Sequence, residues 1–554
     1  MRRFAVLAVL LSIAGAAGAR QAVHARRAMV VTCEPHATDA GVAVLRAGGN
    51  AVDAAVAVGF VLAVTHPAAG NLGGGGFMLI RFADGRATFL DFRERAPRQA
   101  ARDMYLGPDG NPTSDSRSGW RAAGVPGTVR GLERAWKSYG RKTWPELLAP
   151  AIELAAKGFP ISYDLAASLR SSSRLGQFPE SRRIFLKDGA FYEAGDRLVQ
   201  TELAATLARV AGSGARDFYE GDTARRLAQA MAENGGLIGL DDLAAYEAVE
   251  RRPLTGQYRG YEVITAPPPS SGGIGVLQML GMLEGSGYEA AGAGAAASIH
   301  YVAEAMRRFF ADRAAHLGDP DFVRVPVSGL LDREYIARLR ASIDPERATP
   351  SSSVRAGTPA PHERSNTTHY SIVDADGNAV AVTYTLNDSF GSGVTASGLG
   401  FLLNNEMDDF AAKPGAPNLF GLVQGELNTI QPGKRPLSSM TPSVVLRNGR
   451  PYLVAGSPGG PRIISAVLEV ILNVVDFRMG IQDAVDAPRF HHQWLPDRLY
   501  VERGLSPDTI ALLKARGHAV EPHQGVGNVS AILIEDGWLH GAADSRSDGK
   551  AAGF

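Results

Sequence analysis

Thr367 and Thr368 stand between a polar stretch and an alternating apolar run. A break in the chain before Thr367 would leave a hydroxyl and a free α-amine on one residue. An α-amine with a pKa of roughly 7.7–8.0 takes the proton of that hydroxyl near neutrality, so nucleophile and base would be the same residue. Before the break, the same hydroxyl can attack the carbonyl of Asn366 and carry the ester that water then opens, without a separate protease. On propensity alone, a Thr-Thr pair at a strand start is an ordinary β-former.

Other groups suit the same chemistry. Residues 456–460, Gly-Ser-Pro-Gly-Gly, put two glycine amides in a turn after an apolar strand, a pair of donors for the oxyanion of a tetrahedral intermediate. Residues 436–440 offer the adjacent hydroxyls of Ser438 and Ser439, and residues 404–409 (NNEMDD) offer carboxylates for an ammonium group. Arg93 can clamp a carboxylate in bidentate fashion. Taken singly, each reads as a turn or a surface residue. Competing chemistries lack their motifs. Glycines 73–76 are not followed by Gly-Lys-Ser/Thr, and no Gly-x-Ser-x-Gly elbow occurs. Ser547-x-x-Lys550 lies in the tail without its companion motifs. His491 and His492 lack a His-Glu-x-x-His partner and read as packing or loop residues rather than zinc ligands.

These groups need elements to hold them. Apolar spacing predicts a helix over 37–47, a glycine stop at 48–49, and a second, wholly apolar helix capped by Asn50 and running to Val64. Glycines then lead into a strand at 77–80. Residues 124–339 read as mainly helical, with segments at 203–210, 223–234 and 297–316, broken by a Pro-Ser-Gly loop at 266–273. Residues 349–366 read as an exposed loop open to cutting. After it a hairpin is predicted, 369–373 and 379–386 around the turn 374–378. Strands follow at 400–404 and 451–455, and a helix at 464–475. This texture argues for an α+β or layered α/β/β/α protein.

The chain has 554 residues, 45% of them hydrophobic, with 57 basic and 57 acidic side chains. A balanced charge without long runs of one sign gives no footprint for nucleic acid. Glycine, 64 residues, exceeds the usual roughly 7%. Arg2 and Arg3, an apolar run over 4–13 and Ala17-Gly18-Ala19 read as a signal peptide, residues 1–19, cut after Ala19; the run is shorter than the ~20 residues of a membrane span. An exported, periplasmic or secreted protein is therefore expected. Cys33 stands alone, so no internal disulfide forms.

Residues 48–77, 267–273 (PPPSSGG), 367–371 (TTHYS), 382–387 (VTYTLN), 403–410 (LNNEMDDF), 434–440 (KRPLSSM), 456–460 (GSPGG) and 487–494 (APRFHHQW) closely resemble the γ-glutamyltranspeptidases, also called glutathione hydrolases. The resemblance runs in one order from about residue 28 to the C-terminus. It implies an N-terminal-nucleophile hydrolase fold, a four-layer α/β/β/α sandwich formed jointly by a large subunit (20–366) and a small subunit (367–554) cut from one chain. It implies cleavage between Asn366 and Thr367, Thr367 as nucleophile, and Thr385 as the threonine that bonds to it and assists processing. Gly459 and Gly460 match the oxyanion hole. Arg93, Ser438 and Ser439 match the set for the donor's α-carboxylate, and Asn387, Glu406 and Asp409 the set for its α-amino group. The donors would be glutathione and other γ-glutamyl compounds, the acceptors water, amino acids or peptides, with no metal or cofactor. Residues 413–434 match a lid loop. Phe420 stands in it where many bacterial members have tyrosine, which predicts a looser gate and a shift towards hydrolysis. A glutaryl-type cephalosporin acylase is the nearest enzymatic alternative, and an exported amino-acid or peptide binding protein the non-enzymatic one.

Overall fold

The structure is a computed structural model that describes residues 20–355, 366–416, 418–419 and 425–554, with only the backbone of Asn366 and Thr367. The expected signal peptide lies outside the described residues.

In chain order the strands that build the two large sheets are β1 (Val23–Ala25), β2 (Met29–Thr32), β3 (Gly75–Arg81), β4 (Ala87–Phe92), β5 (Val249–Arg251), β6 (Leu254–Tyr258) and β7 (Tyr261–Thr265). There follow β8 (Asn366–Val373), β9 (Ala379–Asn387), β10 (Ser443–Arg447), β11 (Arg450–Gly456), β12 (Ser530–Glu535), β13 (Trp538–Ala543) and β14 (Lys550–Gly553). One sheet has the order β14-β2-β8-β9-β3-β4-β5 and the other β1-β13-β12-β11-β10-β7-β6. Every pairing within both is antiparallel.

Side chains alternate between faces along a strand, and the two faces of the first sheet serve two cores. Met29, Val31, Phe77, Leu79 and Ala381 share a cluster with Val445, Leu453 and Ile532 of the second sheet. Their neighbours Val30, Met78, Ile80, Val380 and Val382 share the other cluster with helices α1 (Pro35–Arg46) and α2 (Ala51–Thr65). All fifteen residues of α2 are buried. Its N-terminus is closed by Asn50, which accepts from the amides of Val52 and Asp53, while Asp53 accepts from the amide of Asn50. Tyr370 of β8 and Tyr384 of β9 donate to the carbonyls of Ala55 and Gly59 in α2 at 3.0 Å each, so the hairpin is bolted to this helix by polar as well as apolar contact. Behind the second sheet lie α3 (Gly272–Leu283), α4 (Ala296–His316) and α5 (Arg462–Val475), whose apolar sides join the second cluster.

The helices and the hairpin agree with the sequence reading, and three expectations are corrected. Within the stretch expected to be mainly helical, β6 and β7 form a hairpin that extends the second sheet. No strand forms at 400–404; Leu402 and Leu403 make only isolated bridges, to Thr395 and Gly73. The segment expected to be exposed from 349 onwards is pinned at its start. Ser351 is buried, its amide donates to Asp497, and the indole of Trp494 donates to the carbonyls of Ser351 and Val354.

Candidate active site

The predicted groups come together because they sit at corresponding ends of antiparallel strands. β8 and β3 begin where β9 and β4 end, and in the second sheet β10 begins where β11 ends. His369 of β8 ties the two sheets at this edge. A Cβ placed on Gly456, the last residue of β11, would stand 2.3 Å from the imidazole. Asn366 pairs with Asn387, and Thr368 pairs with Tyr384, so Thr385 and Leu386 both stand against the single Thr367. This is a β-bulge at the proposed scissile bond, and it brings Thr385 opposite Thr367. The side chains of Asn366 and Thr367 lie outside the described residues.

Thr385 is buried, and its hydroxyl accepts from the amide of Asn387 at 2.8 Å. Asn387 has a φ of +77°, a left-handed conformation uncommon for a residue with a Cβ but one asparagine tolerates. Its Nδ2 donates to the Asn405 carbonyl at 2.9 Å, and its Oδ1 is buried without a hydrogen-bond partner among the described residues.

Arg93 follows directly on β4 and is fully buried. Its guanidinium lies 2.6 Å from the Glu406 carboxylate, contacts Asp409, and donates to the carbonyls of Pro436 (3.1 Å) and Leu437 (3.3 Å). Glu94 is 3.6 Å from the same guanidinium. Burial raises the pKa of Glu406, opposed by Arg93. It raises that of Glu94 well above the usual carboxylate range, with the charge of Glu406 adding to the effect. A single cation thus faces three buried carboxyl groups. The site has more anionic capacity than its own guanidinium neutralises, which suits a ligand bearing an ammonium group.

Ser438 and Ser439 lie in the loop before β10. The Ser438 carbonyl accepts from the amide of Ser271 at 2.7 Å, and its amide donates to the carbonyl of Pro269 at 2.7 Å. The Pro-Ser-Gly loop at 266–273 is thus the cradle for the two serines. Gly459 and Gly460 have φ of +131° and +62° and lie just ahead of Pro461, the N-cap of α5. Among the described residues neither amide donates a hydrogen bond. Amides before a helix N-terminus favour negative charge in front of them.

A sequence model of the γ-glutamyltranspeptidase family matches residues 37–554. The chain belongs to the γ-glutamyltranspeptidase family. As such it is an enzyme of γ-glutamyl hydrolysis and transfer. It is 50% identical over 537 residues to the glutathione hydrolase proenzyme of Escherichia coli K12, covering 96% of this chain and 93% of that one. It is 39% identical over 534 residues to the acylase ACY 1 proenzyme of Pseudomonas sp. V22, covering 94% and 93%. Among solved structures, the cephalosporin acylase of Bacillus halodurans superposes with a TM-score of 0.87 at 28% identity, covering 97% of each chain. The γ-glutamyltranspeptidase of Helicobacter pylori gives 0.58 at 44% identity, over 61% of this chain and 96% of that one. These neighbours share a mixed α/β fold with it.

Beyond the site residues expected from the sequence, the structure adds three supports. Arg313 on α4, buried, donates to the hydroxyls of Ser271 (2.8 Å) and Ser439 (2.7 Å), so a second guanidinium lies against the serine loop. Asn404 donates to the carbonyls of Gly73 and Gly124, while its Oδ1 accepts from the amides of Gly124 and Glu406, which fixes the acidic turn against the glycine run. Asp91 holds Arg251 at 2.7 Å and Arg435 at 3.3 Å, and accepts from the amide of Arg93 at 3.0 Å, which anchors the end of β4. Their residue types were visible, but nothing in local spacing ties α4 to a loop more than a hundred residues away. Of the lid, Phe420 lies outside the described residues, and Leu419 donates its amide to Asp408 in the acidic turn. Of the two readings for His491 and His492, packing or loop, the structure shows buried packing residues. His491 bonds Ser465 and Gln493, and burial holds the pKa of His492 down at about 4.

Proposed function

We propose that this chain matures by cutting itself between Asn366 and Thr367, and then moves γ-glutamyl groups from glutathione and related donors to water, amino acids or peptides. In maturation the Thr367 hydroxyl attacks the Asn366 carbonyl, and the amide nitrogen takes the proton as the acyl group shifts to oxygen. Water then opens the ester, releasing the Asn366 carboxylate and leaving Thr367 with a free amine. In turnover that amine takes the hydroxyl proton, Thr367 attacks the γ-carbonyl, and the proton passes to the departing amine. Gly459 and Gly460 amides receive the oxyanion in each tetrahedral intermediate. Water or an acceptor amine then releases the glutamyl group. Thr385, across the bulge, positions the nucleophile.

The observation that carries this reading is the buried contact of Arg93 with Glu406 and Asp409 beside Asn387. A zwitterionic glutamyl end brings one charge for each partner: its carboxylate for Arg93 with Ser438 and Ser439, its ammonium for Glu406 and Asp409 with the Asn387 carbonyl oxygen. Anchoring that end sets the γ-carbonyl, not the α-carbonyl, at the nucleophile. A glutaryl donor lacks the ammonium and leaves the acidic pole unmatched, which weighs against the acylase reading. We propose further that residues 20–366 and 367–554 form the two subunits of a four-layer α/β/β/α sandwich. Residues 1–19 direct export to the periplasm or medium. Thr367→Ala is expected to remain one chain with no γ-glutamyl hydrolysis; a Thr367→Ala protein that is cut and active would refute the reading.

A further inference from the structure

The two poles of the glutamyl pocket belong to separate stretches of chain. Asp409 ends the acidic turn, while the carbonyls of Pro436 and Leu437, which take the Arg93 guanidinium, lead into Ser438 and Ser439. The short turn Glu426–Asn428 lies between these stretches in the chain and joins them in space. Asn428 is fully buried. Its Nδ2 donates to the carbonyl of Asp409 at 2.6 Å, its Oδ1 accepts from the amide of Leu437 at 3.2 Å, and its own carbonyl accepts from the amide of Ala411 at 2.9 Å. One carboxamide thus spans both poles, with its donor on the acidic side and its acceptor on the serine side. Among side chains of this length, only a carboxamide supplies both at neutral pH.

Lys434 braces the bridge. It is buried, and its ammonium donates to the carbonyls of Leu427 (2.7 Å) and Thr429 (3.0 Å), the residues on either side of Asn428. Its own carbonyl accepts from the amide of Ala96 at 2.8 Å, three residues beyond Arg93. Burial lowers the Lys434 pKa to about 8, with Asp319 opposing, so the cation is held there at a cost. An ammonium spent on the two carbonyls that flank one side chain fixes where that side chain stands.

We propose that Asn428, braced by Lys434, is a positioning residue that sets the spacing between the cationic and acidic poles, and with it the handedness of the donor that the pocket accepts. This role rests on the two-pole reading of the pocket and deepens it. Both residues act through Asp409 and the Arg93 contacts. With the γ-carbonyl held at Thr367, an L-donor meets both poles at once, whereas its D-enantiomer carries ammonium and carboxylate in exchanged places. Telling the two apart needs poles fixed to within about 0.5 Å. Asn428→Asp keeps the shape but sets an oxygen against the Asp409 carbonyl, so that the bridge repels where it attracted. Lys434→Met keeps most of the stem and removes the donors.

Initial rates of the cut enzyme on the L and D forms of γ-glutamyl-p-nitroanilide test this. In Asn428→Asp, kcat/KM for the L-donor is expected to fall by roughly tenfold or more, mostly through KM, and the L-to-D ratio of kcat/KM by about threefold or more. Lys434→Met is expected to move both in the same direction. The ratio does not depend on how much enzyme is cut or folded, so a merely destabilised variant leaves it unchanged. Should Asn428→Asp not mature, Lys434→Met decides. A wild type that prefers the L-donor, with variants that keep its ratio, would overturn the proposal. A wild type indifferent to handedness would refute the two-pole reading and this proposal with it.

Discussion

His369 lies two residues beyond Thr367, and its imidazole is fully buried between the sheets, bonded to Thr383 at 2.8 Å and Ser371 at 3.0 Å. Burial holds its pKa down from 6.5 to about 3, so it is a neutral structural group and not a second base. The folded state resists a proton that the unfolded state accepts. This residue's contribution to stability therefore falls as pH drops through about 6.5 and continues to fall towards 3, at about 1.4 kcal/mol per pH unit. His492 and His518 are depressed in the same way, but they are common to wild type and a single-site variant and cancel in the comparison. Thermal midpoints of wild type and His369→Asn between pH 7.5 and 5 are expected to converge on acidification, with wild type losing more. Parallel losses would contradict this account of His369.

The glycines ahead of β3 answer a packing demand between elements. A Cβ on Gly74 would stand 2.0 Å from the Thr385 carbonyl oxygen, a backbone atom that cannot yield without shifting the end of β9. Gly74→Ala is expected to cost about 1–3 kcal/mol or more and to leave precursor uncut, because the bulge opposite Thr367 moves with Thr385. Gly176, whose added Cβ meets nothing within 4 Å, should tolerate alanine within about 0.5 kcal/mol. Gel analysis of processing and a melting curve check both; full cutting and a wild-type midpoint in Gly74→Ala would refute the argument. At this scale much was legible. Asn50 ahead of an apolar run marks the start of α2, and the Asp-Gly-Asn turn marks the hairpin, because caps and turns are local chemistry. The hairpin β6–β7 was less so. Its edge strand β6 carries Thr, Gly and Gln, and the hairpin joins the sheet only through the pairing of β7 with β10, more than 170 residues on. At 400–404 the apolar run has a strand's composition, but Gly398 and Gly400 adopt positive φ, and the chain turns across the glycine run instead of joining a sheet.

For the whole molecule, two seven-stranded antiparallel sheets stack so that strand ends from four distant parts of the chain meet at one edge. That convergence is why residue types legible singly, such as Arg93, Glu406 and Ser438, became a site through their shared family motifs. It is also why Arg313 is not legible from the sequence: its partners Ser271 and Ser439 reach it only after α4 folds behind the second sheet. The proposed break at 366/367 is the event on which the proposed chemistry depends, since it would create the amine that serves as base. Intact-mass spectrometry of the purified, active protein tests it most directly. The account predicts two polypeptides, the smaller beginning with Thr367, with γ-glutamyl hydrolysis rising in proportion to their amount. A preparation fully active with residues 366 and 367 still joined would contradict it.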